Sequence, residues 1–236
     1  MTIQTGGSPL LLELPDMVDP GHTAVLVIDM QNDFCAPGGW SDRVAKRDIG
    51  RLGTIKKPIA NLVRMAREAG VLVIWVRADY STHQVPESMR ARSERMGLKE
   101  DCCVPGTWGA NWYGVEPEDG ERIFTKHCYS AFSNVDLHSM LTGAGVRTLV
   151  FAGVQTHVCV ESTLRDAHSL GYYCIVPADC VASPNVAAHE VMLSNVEMIF
   201  GVVVSLAELE PNWLPSTDGK SDSEGPKFEE PSGGSG

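Results

Sequence analysis

Short runs of consecutive apolar residues alternate along the chain with longer segments whose apolar residues recur every three or four positions. The first pattern is typical of strands buried on both faces and the second of amphipathic helices. Strands are predicted at residues 24–29, 71–76, 122–126, 148–153, 173–177 and 198–204, and helices at 55–69, 135–142, 158–170 and 186–195. This alternation predicts an α/β fold: a single doubly wound, Rossmann-like domain whose mostly parallel central sheet is flanked by helices on both faces.

The two ends of the chain depart from this pattern. Residues 215–236 are rich in Ser, Gly, Pro, Glu and Asp, and a segment of this composition buries too little apolar surface to fold. We therefore expect an N-terminal arm over residues 1–19, one domain over residues 20–212, and a disordered tail or linker over residues 213–236.

Composition narrows the class of function. The 236 residues carry a formal net charge of -11, which disfavours nucleic acid and anionic membranes as partners. No apolar stretch is long enough to span a membrane, and the first nine residues lack the features of a secretion signal. The seven cysteines are an odd number without the spacing of a disulfide framework. We expect a cytoplasmic enzyme of small molecules with reduced thiols.

Three residues with reactive side chains fall at the carboxyl ends of predicted strands or in the turn that follows: Asp29, Lys126 and Cys159. Ligands of open parallel sheets bind at those ends, and adjacent strands lie about 4.8 Å apart, so the three side chains could meet. The helix that begins near Cys159 favours its thiolate. Each residue alone has an ordinary structural explanation in a turn, on the surface or in the core. Together, a carboxylate can take a thiol proton while an ammonium stabilises the resulting anions.

Three segments carry a resemblance to a known family: residues 27–34 (VIDMQNDF), 124–132 (FTKHCYSAF) and 153–160 (GVQTHVCV). In their order and separation they resemble the motifs of the isochorismatase-like cysteine hydrolases, over roughly residues 20–210. The resemblance implies a catalytic triad of Asp29, Lys126 and Cys159. It also implies a cis peptide bond between Val154 and Gln155, an oxyanion hole made by the backbone N–H groups of Gln155 and Cys159, and a homodimer or homotetramer.

These roles imply a mechanism. Asp29 accepts the proton of Cys159, the thiolate attacks a carbonyl carbon, and the two N–H groups stabilise the oxyanion. Asp29 then protonates the leaving amine and activates the water that hydrolyses the thioester, while Lys126 stabilises the charged intermediates. Isochorismatases proper act on a vinyl ether and generally lack the nucleophilic cysteine, so Cys159 favours cleavage of a C–N bond.

The subfamily is less well defined. Nicotinamidases carry an Asp-x-His and a second His that bind a metal, whereas residues 77–83 here (RADYSTH) contain one His. The histidines show no zinc-type pair at ligand spacing, so we expect no metal and no cofactor. Residues 106–108, 159–167 and 195–201 are most similar to ureidoacrylate amidohydrolases, with biuret and triuret hydrolases as relatives, but residues 77–83 depart from the ureidoacrylate pattern.

The individual substrate therefore stays open among ureidoacrylate, biuret and triuret. An N-carbamoyl amino acid amidase and a nicotinamidase-like amidase are alternatives. An alternative from another class is a catalytically silent oligomeric binding module, since a fold does not fix a function.

Aromatic and cationic residues are the candidates for the walls of a pocket around a small planar ligand. The basic residues 89–95 form what is usually a solvated helix face or an oligomer contact. An arginine from this segment, or Arg77, could instead bind a substrate carboxylate, which ureidoacrylate has and biuret and triuret lack. The predicted substrate-binding residues are Phe34, Trp40, Arg77, Tyr80, Trp108, Tyr129 and Gln155, whereas Trp112 is expected in the core or at a subunit interface.

Overall fold

The computed structural model describes residue 7 and residues 9–214, so most of the predicted tail lies outside the described residues. Its central sheet has the order β3-β2-β1-β4-β5-β7, with the short β6 paired to the end of β4. All pairings are parallel. The strands are β1 (Thr23–Ile28), β2 (Leu72–Ala78), β3 (Arg122–Lys126), β4 (Thr148–Val154), β5 (Tyr173–Pro177), β6 (Val181–Ala182) and β7 (Val202–Val204).

Helices pack on both faces of this sheet. Val25 and Val27 of β1 face the layer that contains α4 and α9, whereas Leu26 and Ile28 face the layer that contains α6, α7 and α8. This three-layer arrangement confirms the predicted fold class. The helices are α1 (Leu14–Met17), α2 (Asn32–Cys35), α3 (Trp40–Arg43), α4 (Lys56–Glu68), α5 (Glu87–Arg95), α6 (Val135–Gly143), α7 (Glu161–Ser169), α8 (Val186–Asn195) and α9 (Leu206–Trp213). Within the described part of the chain, none of them has the length and apolar character needed to cross a bilayer.

Strands β1 and β4 lie at the centre of the sheet, and every residue in them is buried. Burial on both faces explains why their sequences are uninterrupted apolar runs. The strand order reverses between these two strands, and in doubly wound folds such a reversal opens a crevice at the carboxyl ends of the strands. Asp29 directly follows β1, and the turn that carries Cys159 follows β4.

The backbones of β1 and β4 approach each other closely at Gly153. This residue pairs with Ile28 and has a φ of 118°. A Cβ at this position would overlap the carbonyl group of Ile28. Glycine is therefore required both by the conformation and by the contact.

The predicted strand over residues 198–204 is wrong in its first half. Val196–Phe200 forms a π-helical turn that continues α8, and the strand comprises only Val202–Val204. A short apolar run does not by itself distinguish a strand from a helix, and Met198 and Ile199 are in fact exposed. Gly201 follows the turn. Glycine is needed at this position because a Cβ there would overlap the backbone of Cys174 on β5.

Candidate active site

Asp29 and Lys126 form a buried ion pair at the carboxyl edge of the sheet. Asp29 leaves β1 with a φ of 55°, a left-handed conformation that Asp adopts more readily than most residues. Lys126 is the last residue of β3, and its Nζ lies 2.8 Å from Oδ2 of Asp29 although β2 separates the two strands. Their side chains are 1% and 0% exposed. Because an unpaired buried charge is strongly destabilising, each residue depends on the other.

Lys126 has two further partners. Its ammonium donates to the hydroxyl of Tyr80 at 2.7 Å and to the carbonyl of Cys128 at 3.2 Å. Asp29 is its ion-pair partner. Burial by itself lowers the pKa of Lys126, but the charge of Asp29, and that of Cys159 once it ionises, outweighs the burial, so the pKa lies above its ordinary value and the ammonium persists.

The carboxyl group of Asp29 has the opposite balance. Burial raises its pKa, and the charge of Lys126 together with the neighbouring Cys159 thiol offsets only part of that effect. Asp29 is thus a stronger base than an exposed aspartate. It also lies within hydrogen-bonding reach of the thiol.

Cys159 lies in a π-helical turn, Thr156–Val160, between β4 and α7. Its Sγ is 3.5 Å from the hydroxyl of Tyr80. Burial raises the pKa of Cys159 to about 12; Lys126 lowers it and the Asp29 carboxylate raises it further. The expected acidity of this thiol is therefore wrong in direction, because burial raises its pKa. The thiol is protonated at neutral pH and needs a base.

Hydrogen bonds hold the turn in place. The carbonyl of Gln155 accepts the N–H groups of Val158 and Val160 at 3.0 and 3.3 Å. The hydroxyl of Thr163 donates to the carbonyl of Cys159 at 2.7 Å. The peptide bond between Val154 and Gln155 is cis.

A cavity of about 160 Å³ opens beside these residues. Asp29, Gln155 and Cys159 contribute to its lining, whereas Lys126 lies behind Asp29 and does not reach the cavity surface. Of the predicted substrate-binding residues, the structure places Phe34, Trp40, Tyr80, Tyr129 and Gln155 at this cavity.

Arg77 and Trp108 do not line the cavity. Arg77 lies within β2, before its end, and its exposed side chain donates to the hydroxyl of Thr125 at 3.1 Å. The cavity forms beyond the strand ends, so this position does not reach it. Trp108 is 54% exposed, and its carbonyl accepts from the amide of Asn32. Trp112 packs edge-on against Trp75 at 5.3 Å, as expected of a core residue.

Sequence reasoning missed Gln31, whose side chain connects backbone segments beside the site. Its fully buried amide donates to the carbonyls of Ala78 and Ala110 at 3.1 Å each and accepts the N–H of Ala78 at 2.7 Å. These bonds tie the loop after β1 to the end of β2. The available signal was a polar triplet, residues 31–33, shortly after a buried strand. Polar side chains so close to the core must find hydrogen-bond partners.

Arg47 was missed as well. It lines the cavity, although it lies in a loop without apolar periodicity and outside all the motifs. No sequence signal pointed to it.

Asp79 stands where the resemblance to nicotinamidases would place a metal ligand. Its Oδ1 accepts the N–H and the hydroxyl of Ser81 at 3.1 and 2.5 Å. Among the described residues, one group of three brings candidate ligand atoms together, namely Asp33, Cys102 and Cys103. There the two carboxylate oxygens of Asp33 already accept backbone N–H groups. The side chains at Asp79 therefore do not fit a nicotinamidase-type metal site.

Fold and site together define a class of protein, a doubly wound α/β domain with a small cavity at its topological switch point. The chain belongs to the isochorismatase family, since the family model described as the Isochorismatase domain matches residues 23–208. It is 37% identical over 211 residues to ureidoacrylate amidohydrolase RutB of Methylorubrum extorquens, across 83% of this chain and 84% of that protein. RutB of an Enterobacter species is 33% identical over 204 residues, across 80% and 88%.

Solved structures of related hydrolases share the fold of this chain. A cysteine hydrolase from Pseudomonas syringae matches with a TM-score of 0.71 and 26% identity, across 88% of this chain and 98% of that one. A pyrazinamidase of Pyrococcus horikoshii, solved in complex with zinc, matches with a TM-score of 0.65 and 28% identity, across 78% and 99%. The chain is a hydrolase that acts on C–N bonds of small amides other than peptides.

Proposed function

We propose that this protein is a cysteine amidohydrolase of small ureido or carbamoyl compounds, such as ureidoacrylate, and that Asp29, Lys126 and Cys159 are its catalytic residues. One observation carries the proposal. A buried carboxylate, held 2.8 Å from a buried ammonium, lies within reach of a thiol at the surface of a small cavity. The similarity to ureidoacrylate amidohydrolases supports the ureido group as the point of attack.

The first half-reaction needs a base because the thiol is neutral. Asp29, whose pKa is raised, takes the Cys159 proton as the sulfur bonds to the carbonyl carbon. The carbonyl oxygen becomes an oxyanion that the N–H groups of Gln155 and Cys159 stabilise, and one such donor is worth on the order of 3 kcal/mol. When the C–N bond breaks, the amine leaves with the proton that Asp29 had accepted.

The second half-reaction restores the thiol. For a carbamoyl compound, the enzyme now holds a carbamoyl thioester on Cys159. Asp29 removes a proton from water, the hydroxide bonds to the carbonyl carbon, and the C–S bond breaks to release carbamate and regenerate the thiol. Lys126 keeps its charge throughout and compensates the negative charge of Asp29 and of the sulfur.

The test is ammonia release by the purified protein from ureidoacrylate, biuret, triuret, N-carbamoyl amino acids and nicotinamide. We expect turnover of a ureido compound by the wild type and by Cys180→Ala, which removes a buried thiol outside the cavity, but none by Cys159→Ala. Hydroxylamine should divert the thioester to a hydroxamate, which identifies the acyl group. The proposal would be contradicted if Cys159→Ala retained turnover, or if the wild type hydrolysed none of these substrates.

A further inference from the structure

Arg47 is a cation in the cavity wall without an anionic partner. Its guanidinium lies 5.7 Å from the centre of the Trp40 ring, a cation–π contact that holds it beside the cavity. No ion pair includes it among the described residues. Arginine keeps its charge in proteins, so its charge at this cavity is not neutralised by a protein carboxylate.

Arg92 of α5 lines the same cavity and likewise has no ion pair among the described residues. Burial, and to a smaller extent the charge of Arg92, lowers the pKa of Arg47. Both side chains are half-buried. The repulsion between these two guanidinium groups is unfavourable beside a partly dehydrated cavity. A bound anion would offset it.

The acidic groups of the cavity wall are mostly engaged elsewhere. Glu100 pairs with Arg43 at 2.7 Å, and the carboxylate of Asp101 accepts the N–H and the hydroxyl of Thr82. Asp29 pairs with Lys126. Glu94 remains, exposed on α5, and it is outnumbered by the exposed lining cations Arg90 and Lys99. The lining itself has four cations and four carboxylates. Because Asp29 and Glu100 are each neutralised by a cation outside the lining, Lys126 and Arg43, the cations of the lining outnumber its remaining carboxylates.

We infer that Arg47, assisted by Arg92, binds a carboxylate of the substrate, so that this enzyme acts on an anionic ureido acid rather than on a neutral ureide. A guanidinium binds a carboxylate with two parallel hydrogen bonds, which fixes orientation as well as affinity. Arg47 and Cys159 line one small cavity, so a compact ureido acid would place its carboxylate at one and its ureido carbon at the other. The inference rests on the proposed function for its site of attack.

Binding measurements with an acid and its neutral amide isolate the contribution of the ligand's negative charge. In the Cys159→Ser variant, which holds ligand without thiol chemistry, calorimetry would compare 3-ureidopropionate with its neutral analogue 3-ureidopropionamide. We expect the acid to bind more tightly. Arg47→Gln should weaken acid binding by about 10- to 100-fold, the cost of lost hydrogen bonds to a charged group, and should change amide binding less than about threefold.

Further variants distinguish loss of the carboxylate contact from a general loss of structure. Arg47→Lys keeps the charge but loses the two-pronged geometry, so its loss should be intermediate. Arg92→Gln should cost less than Arg47→Gln, and Arg95→Gln, on the same helix but outside the cavity wall, should cost nothing. Unfolding midpoints of all variants would be measured alongside.

The outcomes distinguish this inference from the proposed function. Preference for the acid, lost in Arg47→Gln, supports the carboxylate site even if the wild type hydrolyses no ureido compound. The absence of any preference for the acid, whether both ligands bind or neither, or equal losses for both ligands in Arg47→Gln, overturns it even if ureido compounds are hydrolysed.

Discussion

The two sides of the cavity are built differently. We call Asp29, Lys126 and Cys159 the floor, and α5 with residues 96–101 the cover. Every floor residue is buried and lies at or just beyond the end of a strand. The cover contains no buried residue and carries several charged side chains that face the cavity.

This difference separates chemistry from recognition. Ion pairing, dehydration and neighbouring strands fix the floor, whose geometry a reaction with short-lived charges requires. The cover has little core to constrain it, so its residues can change with little cost to the fold. We therefore expect floor substitutions to affect turnover and stability together, and cover substitutions to affect binding alone.

The largest effect should come from Asp29→Asn. Loss of the base should reduce turnover about 10³- to 10⁴-fold, and the unpaired Lys126 should lower the free energy of unfolding by about 3–5 kcal/mol. Steady-state kinetics and urea unfolding measure the two. The control is Glu68→Gln, which breaks the exposed pair with Arg64 and should cost less than about 0.5 kcal/mol. Equal costs for the two variants would show that the floor is not a buried ion pair.

The second prediction concerns the pH dependence of the Cys159 thiol. With a pKa of about 12, the thiolate fraction in the free enzyme rises about tenfold for each pH unit below that value. The rate of alkylation by iodoacetamide should therefore rise through pH 7–10 without a plateau. Peptide mass spectrometry, with Cys159→Ala to mark labelling of the other cysteines, measures it. A plateau near pH 7 would mean that the helix terminus, not burial, controls the thiol.

Gln31→Ala tests the contact between the loop after β1 and the end of β2. The change leaves buried backbone groups of Ala78 and Ala110 without partners, and we expect a loss of about 2–3 kcal/mol in unfolding free energy. The exposed Gln84, changed to Ala, serves as control and should cost less than about 0.5 kcal/mol. If both variants unfold at the same urea concentration, the hydrogen bonds of Gln31 do not stabilise the fold.

The smallest effect should come from Trp40→Phe. The indole N–H donates to the carbonyl of Glu100 in the cover at 2.8 Å, and its loss is worth about 1 kcal/mol. We expect KM to rise a few-fold with kcat unchanged, since the change loosens the cover and weakens the contact with Arg47 but leaves Asp29, Lys126 and Cys159 in place. A fall in kcat at constant KM would place Trp40 with the floor.

The comparison also explains what the sequence could and could not predict. The meeting of Asp29 with Lys126 was predictable because the carboxyl ends of neighbouring strands converge. The buried β1 and β4 have a clear apolar pattern, whereas β3 is largely exposed, and the family resemblance supported Lys126. Whether the thiol is acidic was not predictable from its position, because the answer depends on its burial in three dimensions. Arg47 lies in a loop without periodicity, and Arg77 was assigned to the cavity although it precedes the strand end by one residue.

The neutral state of Cys159 has a consequence for the protein at rest. Peroxide and other oxidants react with the thiolate rather than the thiol, and burial keeps this sulfur protonated. In the proposed mechanism, proton transfer to Asp29 accompanies attack on a carbonyl, so that a nucleophile forms only when substrate is present. We therefore expect the same dehydration that calls for a base in the proposed mechanism to slow oxidation of the idle enzyme.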